Sequence, residues 1–471
     1  MIKVKSKASI TEGPIFFGII KFVIPLMLTG VLQVLYNMAD SMIVGKFSGD
    51  YNALGAVGST ASFTTLITNI MISLSAGAGV VIAQLYGAKN EKDVESSVHT
   101  AMSISVIGGI ICMAVGLAVA RPVLRLMGTQ ELYFEKAALY VSIICLGIPA
   151  SAVYNFGAAV LRSVGDSKTS LYILSASGLL NVGLNLVFVI FCDMSVDGVA
   201  VATIISQYVS AAAVVLVLVK RRSECYGFDI RKMKLERRLV VRMMRIGVPM
   251  AFQSSLFSIS NMIITSAFNT FEPVVVEAKT IAFNIEGLTY TVMNSFANAI
   301  ITFVGQNYGA KKFSRINKIF LYGVIQVAVT GIFVAQTEIF FGRELSMLYI
   351  DATNPDKDAI IEVVMEIFRV MLSTYFLCGI MEVISGVLKA LGYSMCSVIA
   401  SLMGLAIRIC WILFVVPIPR FHTISWLVVS YVISWLVTIV LSIIFCVVTW
   451  RKLGISKYAK KENTEDMVWK R

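Results

Sequence analysis

A single aspartate inside an otherwise apolar run is the most chemically informative residue of this 471-residue chain. Asp40 follows Tyr36-Asn37-Met38-Ala39, and no basic residue lies one helical turn away. A charge placed in a bilayer costs roughly 2.5–3.5 kcal/mol on insertion scales, so such a residue calls for an explanation. A carboxyl group held away from water can carry a proton, and it can act as counter-ion to a cationic ligand. Alternatively, neighbouring hydroxyls or amides cap it and it carries nothing. Two amides are available. Gly178-Leu179-Leu180-Asn181-Val182-Gly183-Leu184-Asn185 sets Asn181 and Asn185 four residues apart, on one face of a helix. Thr203 adds a hydroxyl in the next apolar run. Such groups hold a carboxylate's proton or complete an ion's oxygen shell; they equally tie helices together. The candidate cation-coupling and substrate residues are therefore Asp40, Asn37, Asn181, Asn185 and Thr203. Sodium is an alternative occupant at Asp40, Asn181, Asn185 and Thr203, and no other metal site is indicated.

The second half of the chain carries charges of its own inside apolar runs. Glu286 has no obvious local partner, whereas Glu382 and Arg408 sit in neighbouring runs and can pair across a bundle. Glu286, Glu382 and Arg408 form a candidate second polar site, and the spacing does not choose which acid would serve a second cation. Glu362, Glu366 and Arg369 share one helical stripe, where internal ion pairing is expected. Only two His, His99 and His422, and eight Cys without a CxxC pair argue against a His-based centre, a zinc site or a disulfide framework. No P-loop occurs, so direct drive by ATP is not expected.

The elements that must position these groups follow from composition. AVILMFWYC makes up 57% of the chain and DEKR 14%, with a mean hydropathy of +0.82. Soluble chains run near 45–50% apolar and about 25% charged, so this much apolar side chain overfills any soluble core. The expected fold is an all-α polytopic membrane protein. About twelve stretches reach the length of around 20 residues that a bilayer requires: 15–44, 54–85, 94–119, 132–160, 168–191, 196–219, 239–269, 276–307, 314–340, 359–387, 393–416 and 423–449. The first resembles a signal peptide in its flanking lysines, but it is too long and contains Pro25 and Asp40, so it reads as a retained helix.

With the N-terminus inside, the inward segments hold 29 Lys/Arg and the outward ones 8, which sets both termini in the cytoplasm. The net charge of +12 is then an orientation signal and not a nucleic-acid signal. Ten of the inward charges fall in 220–245, read as a cytoplasmic connector, with a lipid-binding role as the less favoured reading.

The two halves repeat. Ile24-Pro25-Leu26 and Val248-Pro249-Met250 open matched runs at an offset of 224. Gln84-Leu85-Tyr86-Gly87-Ala88-Lys89 recurs as Gln306-Asn307-Tyr308-Gly309-Ala310-Lys311, and Val160-Leu161-Arg162-Ser163-Val164-Gly165 as Val387-Leu388-Lys389-Ala390-Leu391-Gly392. Six spans per half give both copies the same orientation, which suits a transporter of two bundles rocking about a central site. The matched position of Asp40 is Ile264, so only the first copy keeps the acid. The expected organisation is a cytoplasmic N-terminus (1–14), a first lobe of helices 1–6 (15–219), a basic cytoplasmic linker (220–238), a second lobe of helices 7–12 (239–450) and a cytoplasmic tail (451–471).

These blocks resemble the multidrug and toxic compound extrusion (MATE) family of prokaryotic type. Pro25 through Gly45 is similar to the family's helix 1, the two Q-x-Y-G-A-K blocks to its loop signatures, and Leu161 through Asp166 with Leu180-Asn181 to further family positions. The resemblance covers residues 12–450. It implies two parallel-repeat six-helix bundles forming a V, and antiport of organic, often cationic, compounds against protons or sodium through alternating access. By the same resemblance Asp40 falls on the cation-coupling aspartate of the first lobe, Asn181 on its helix 5 asparagine and Thr203 on its helix 6 threonine. Many members place a second Asp where this chain has Asn185, and sodium-driven members use a helix 7 acid where this chain has Phe257. Proton coupling is thereby favoured, with sodium left open.

The expectation is a non-enzymatic multidrug efflux antiporter of the cell (inner) membrane. It acts as a monomer among membrane lipids, takes small organic cations as substrates, uses a proton or sodium gradient, and needs neither cofactor nor nucleic acid. The rival readings are a lipid-linked oligosaccharide flippase of the same superfamily, a membrane-embedded enzyme such as an acyltransferase, and a non-transporting regulator on this fold. A flippase calls for a cationic cavity, whereas the charges within the spans lean acidic.

Overall fold

The computed structural model describes residues 10–47, 53–350 and 354–455. Most of both expected cytoplasmic termini, 1–9 and 456–471, lies outside the described residues. Fourteen α-helices follow one another there: α1 Ile15–Phe47, α2 Ala53–Gly87, α3 Glu91–Leu126, α4 Glu131–Ser163, α5 Ser167–Leu186, α6 Val196–Lys220, α7 Arg237–Phe268, α8 Pro273–Gly309, α9 Phe313–Phe340, α10 Gly342–Met347, α11 Lys357–Met371, α12 Tyr375–Ala390, α13 Ser394–Cys410 and α14 Ile424–Leu453. No strand occurs among the described residues. Ten segments are long and apolar enough to cross a bilayer, α11 and α12 together forming one of them, Lys357–Ala390. Two of the expected twelve, α7 and α8, are long but more polar. The first opens on Arg237, Arg238, Arg242 and Arg245, and the second carries Glu277, Lys279, Glu286, Asn284, Asn294 and Asn298.

Backbone geometry explains the repeated blocks. The Gln84 and Gln306 blocks both end a helix with a residue in the left-handed region, Lys89 at φ 55° and Lys311 at φ 58°. The Val160 and Val387 blocks do so with Gly165 at φ 94° and Gly392 at φ 87°. In each case the next N–H reaches back five residues: Asn90 to Leu85 O, Lys312 to Asn307 O, Asp166 to Leu161 O and Tyr393 to Leu388 O, at 2.8–3.2 Å. This wrap satisfies carbonyls that a helix end leaves open. The symmetry extends to π-helical turns, Val187–Phe191 after α5 and Trp411–Val415 after α13.

The chain divides into two compact units, Ile24–Ser255 and Met1–Val23 with Leu256–Arg471. In the first, α4 packs on α2, α3 and α6, around Phe63, Met71, Phe134, Val141, Cys145 and Ile148. The early part of α7 belongs here because Gly77 and Gly247 carry no side chain: a Cβ on Gly77 would lie 2.6 Å from Gly247 N. The connector is fastened to α3 by Arg238–Asp93 (2.6 Å) and Lys232–Glu95 (2.8 Å), and by buried His99, whose Nε2 accepts the Asp229 N–H at 3.1 Å.

In the second unit α12 packs on α8, α9 and α14. The first turns of α1 join it through Phe22, whose ring meets that of Phe303 edge-on at 5.7 Å, and through Gln326 Nε2 donating to Phe16 O at 2.8 Å. The grouping thus cuts α1 and α7 internally, near Pro25 and Pro249, whereas charge and hydropathy had drawn the boundary at the 220–238 linker. Close helix approach, which a hydropathy profile does not register, accounts for the difference.

Candidate functional site

Helices α1, α5 and α6 build the first centre, inside the unit Ile24–Ser255. Gly178 lets α1 meet α5, because the ring of Tyr36 fills the space a Cβ would take. The Tyr36 hydroxyl donates to Ser175 O at 3.3 Å. One turn further along α1, Asp40 Oδ1 accepts a hydrogen bond of 2.5 Å from Asn185 Nδ2. Asn185 Nδ2 also faces Asn181 Oδ1 at 3.4 Å, and Asn181 Nδ2 reaches Thr203 Oγ1 at 3.4 Å. Thr203 in turn donates to Val199 O at 2.9 Å. Both asparagines are buried and Asp40 is half-buried, but Asn37 is exposed. The structure therefore chains Asp40, Asn185, Asn181 and Thr203 together.

The electrostatics are simple. Asn185 presents its N–H to the carboxylate while its own Oδ1 is buried without a partner. A spare amide oxygen thus lies beside an acid. Tyr140 of α4 lies within electrostatic range of Asp40, a neighbour that no spacing announced.

The unit containing Leu256–Arg471 has its own polar interior. Tyr375 donates its hydroxyl to Glu286. Arg408 is 3% exposed; its Nη2 donates to Ser434 Oγ at 2.8 Å, and its guanidinium lies 4.1 Å from the centre of the Tyr431 ring. Gly404, one turn before Arg408, admits α14 closely enough to bring Ser434 there, since a Cβ would meet Ser434 O at 2.7 Å. The expected Glu382–Arg408 pair is absent among the described residues. Arg408 lies within electrostatic range of Glu286, and Glu382 within that of Tyr290, Cys378 and Lys389. The expected pairing within Glu362, Glu366 and Arg369 is also absent there. Glu362 and Arg369 are exposed, and Glu366 accepts from Ser425 Oγ of α14 at 2.6 Å. Tertiary partners outcompete local spacing at both places.

One residue escaped the sequence reading. Glu338, two residues from the end of α9, sorts with the outward charges by position, yet it is 7% exposed. Its signal was an acid flanked by Ile332-Phe333-Val334-Ala335 and Ile339-Phe340-Phe341.

Comparison with known proteins adds the lineage. A family model described as MatE matches residues 25–187 and 249–413. The chain is 27% identical over 379 residues to the "Probable multidrug resistance protein YoeA" of Bacillus subtilis, covering 79% of this chain and 80% of that one. It is 23% identical over 410 residues to a FAD transporter of Shewanella oneidensis, covering 86% and 88%. A solved multidrug resistance MATE family transporter of the MOP superfamily, in an outward-facing conformation, superposes with a TM-score of 0.86 over 97% of this chain and 100% of its own, at 20% identity. The likeness at that identity is one of fold. The two stretches matched by the family model begin at Pro25 and Pro249, the openings of the two internal copies, and on that double match the chain belongs to the MatE family.

Proposed function

We propose that this chain is a secondary active efflux transporter that exports small organic, cationic compounds by antiport with protons, or with sodium, through alternating access. The observation that carries the reading is Asp40 bonded to Asn185, with a buried amide oxygen left over. An amide can serve both states of a carboxyl group: its N–H donates to the carboxylate, and after a flip its carbonyl accepts from the protonated acid. Asp40 can therefore keep a hydrogen bond to Asn185 in both of its protonation states. Competition between that cation and a positively charged substrate for one carboxylate suffices to couple the two fluxes. Asn181 and Thr203 supply further oxygens, which suits sodium as an alternative to the proton. Names among the relatives, a multidrug resistance protein and a FAD transporter, support small organic substrates, and a carboxylate favours the cationic ones. The transporter works as a single copy in the cell membrane with both termini in the cytoplasm.

Uptake of an ethidium-like dye into inverted vesicles, with proton and sodium gradients imposed independently, tests this directly. Gradient-driven uptake is expected in the native chain and its loss in Asp40→Asn. Undiminished uptake by Asp40→Asn refutes the mechanism.

A further inference from the structure

The connector between α6 and α7 is pinned to α3 at both ends of a short arch. At one end the ring of buried Phe228 lies 5.4 Å from that of His99, and the Asp229 N–H donates to His99 Nε2 at 3.1 Å. At the other the Glu236 N–H donates to Thr100 Oγ1 at 3.4 Å. Between these anchors runs Ile230-Arg231-Lys232-Met233-Lys234-Leu235, opening on one 3-10 turn. All six residues are exposed, Ile230 by 61%, Met233 by 38% and Leu235 by 51%. Positive charge here is explained by orientation alone. Three large apolar side chains set among the charges in the open are not. The charges, moreover, exceed their partners. Lys232 pairs with Glu95, Arg238 with Asp93, and Glu236 with both Lys234 and Arg238. Exposed Arg231 and Arg237 form no ion pair among the described residues.

The attachment of the arch indicates what covers it. The apolar span α6 ends at Lys220, and α7 opens at Arg237 with Val241, one turn on, 51% exposed. The arch is thus tethered beside the bilayer at both ends. Apolar side chains set among basic ones match the membrane boundary, where anionic phosphates lie over acyl chains. The geometry points to residues 230–237 as a docking surface for anionic phospholipids. Arg231 and Arg237 take the phosphates, with Lys232 and Lys234 beside them, and Ile230, Met233 and Leu235 enter the boundary. His99 and Thr100 then fasten the membrane surface to α3. None of this rests on Asp40, on the cargo or on the coupling ion.

Amide hydrogen exchange of the full-length chain in nanodiscs tests this, with phosphatidylcholine alone compared against mixtures containing phosphatidylglycerol. Exchange in the peptide covering 230–236 is expected to slow as phosphatidylglycerol is added, and high salt to reverse most of the slowing. The mole fraction of phosphatidylglycerol that gives half the protection is expected to rise about fivefold for Arg231→Gln, and about fivefold again when Arg237→Gln is added. Met233→Ser with Leu235→Ser keeps every charge and is expected to lose protection as well. Native exchange in α4 certifies that each variant is folded. The inference is overturned if phosphatidylglycerol leaves the native peptide unprotected, or if the arginine variants respond as the native chain does. It is overturned too if the serine variant keeps full protection, since the charges then act without a built surface. Protection by soluble polyglutamate in place of phosphatidylglycerol would assign the arch to an acidic protein and overturn the membrane reading.

Discussion

Asn185 carries more of the first centre than its neutral side chain suggests. It is 0% exposed and supplies the hydrogen bond to Asp40. Asn185→Leu leaves a carboxyl group in a low-dielectric interior without that donor, a loss worth roughly 1–3 kcal/mol. The variant is expected to unfold at lower temperature in detergent and to export dye at least tenfold more slowly. Native export with a lowered melting temperature would make Asn185 a structural residue only. The Asn181 and Asn185 pair was visible from its spacing. Its orientation towards Asp40 was not, because an i, i+4 pattern defines a helix face without naming the helix it will meet.

At the scale of elements, small residues decide where helices touch. Gly178 is the contact through which α1 reaches α5, and Gly178→Ala drives a methyl group into the Tyr36 ring. Overpacking of this kind costs typically 1–3 kcal/mol. The variant is expected to lose stability and transport together, and the double variant with Tyr36→Ala to recover stability, both read from thermal unfolding. Failure of the double variant to recover would show that the contact does not limit the approach. The units divide within α1, between Val23 and Ile24, and within α7, between Ser255 and Leu256. The connector was legible as basic, but its fastening to α3 through His99, Glu95 and Asp93 depends on tertiary contacts.

For the whole molecule, the charge asymmetry predicts a topology that two cysteines can report. Cys192 follows the π-helical turn after α5 and is exposed, while Cys225 lies in the connector and is half-buried. With both termini inside, Cys192 faces out and Cys225 faces the cytoplasm. A membrane-impermeant maleimide is expected to label a Cys192-only variant in intact cells, and a Cys225-only variant only after permeabilisation. The latter should react slowly, because burial pushes the Cys225 thiol up and keeps it protonated at neutral pH. Labelling of Cys225 in intact cells would invert the topology.

Fold class and the twofold repeat were written in the composition and three matched blocks, because lipid solvation and helix termination act locally along the chain. The same locality made Asp40, Asn181, Asn185 and Thr203 visible as candidates. Who meets whom was decided by packing: Asp40 with Asn185, Arg408 with Ser434 and Tyr431 in place of Glu382, and Glu338 turned inward. The physical reason is that lipid is as apolar as a protein core. A helix apolar all round carries no stripe to say which face is buried, so shape complementarity between helices and polar contacts in their interior make that choice.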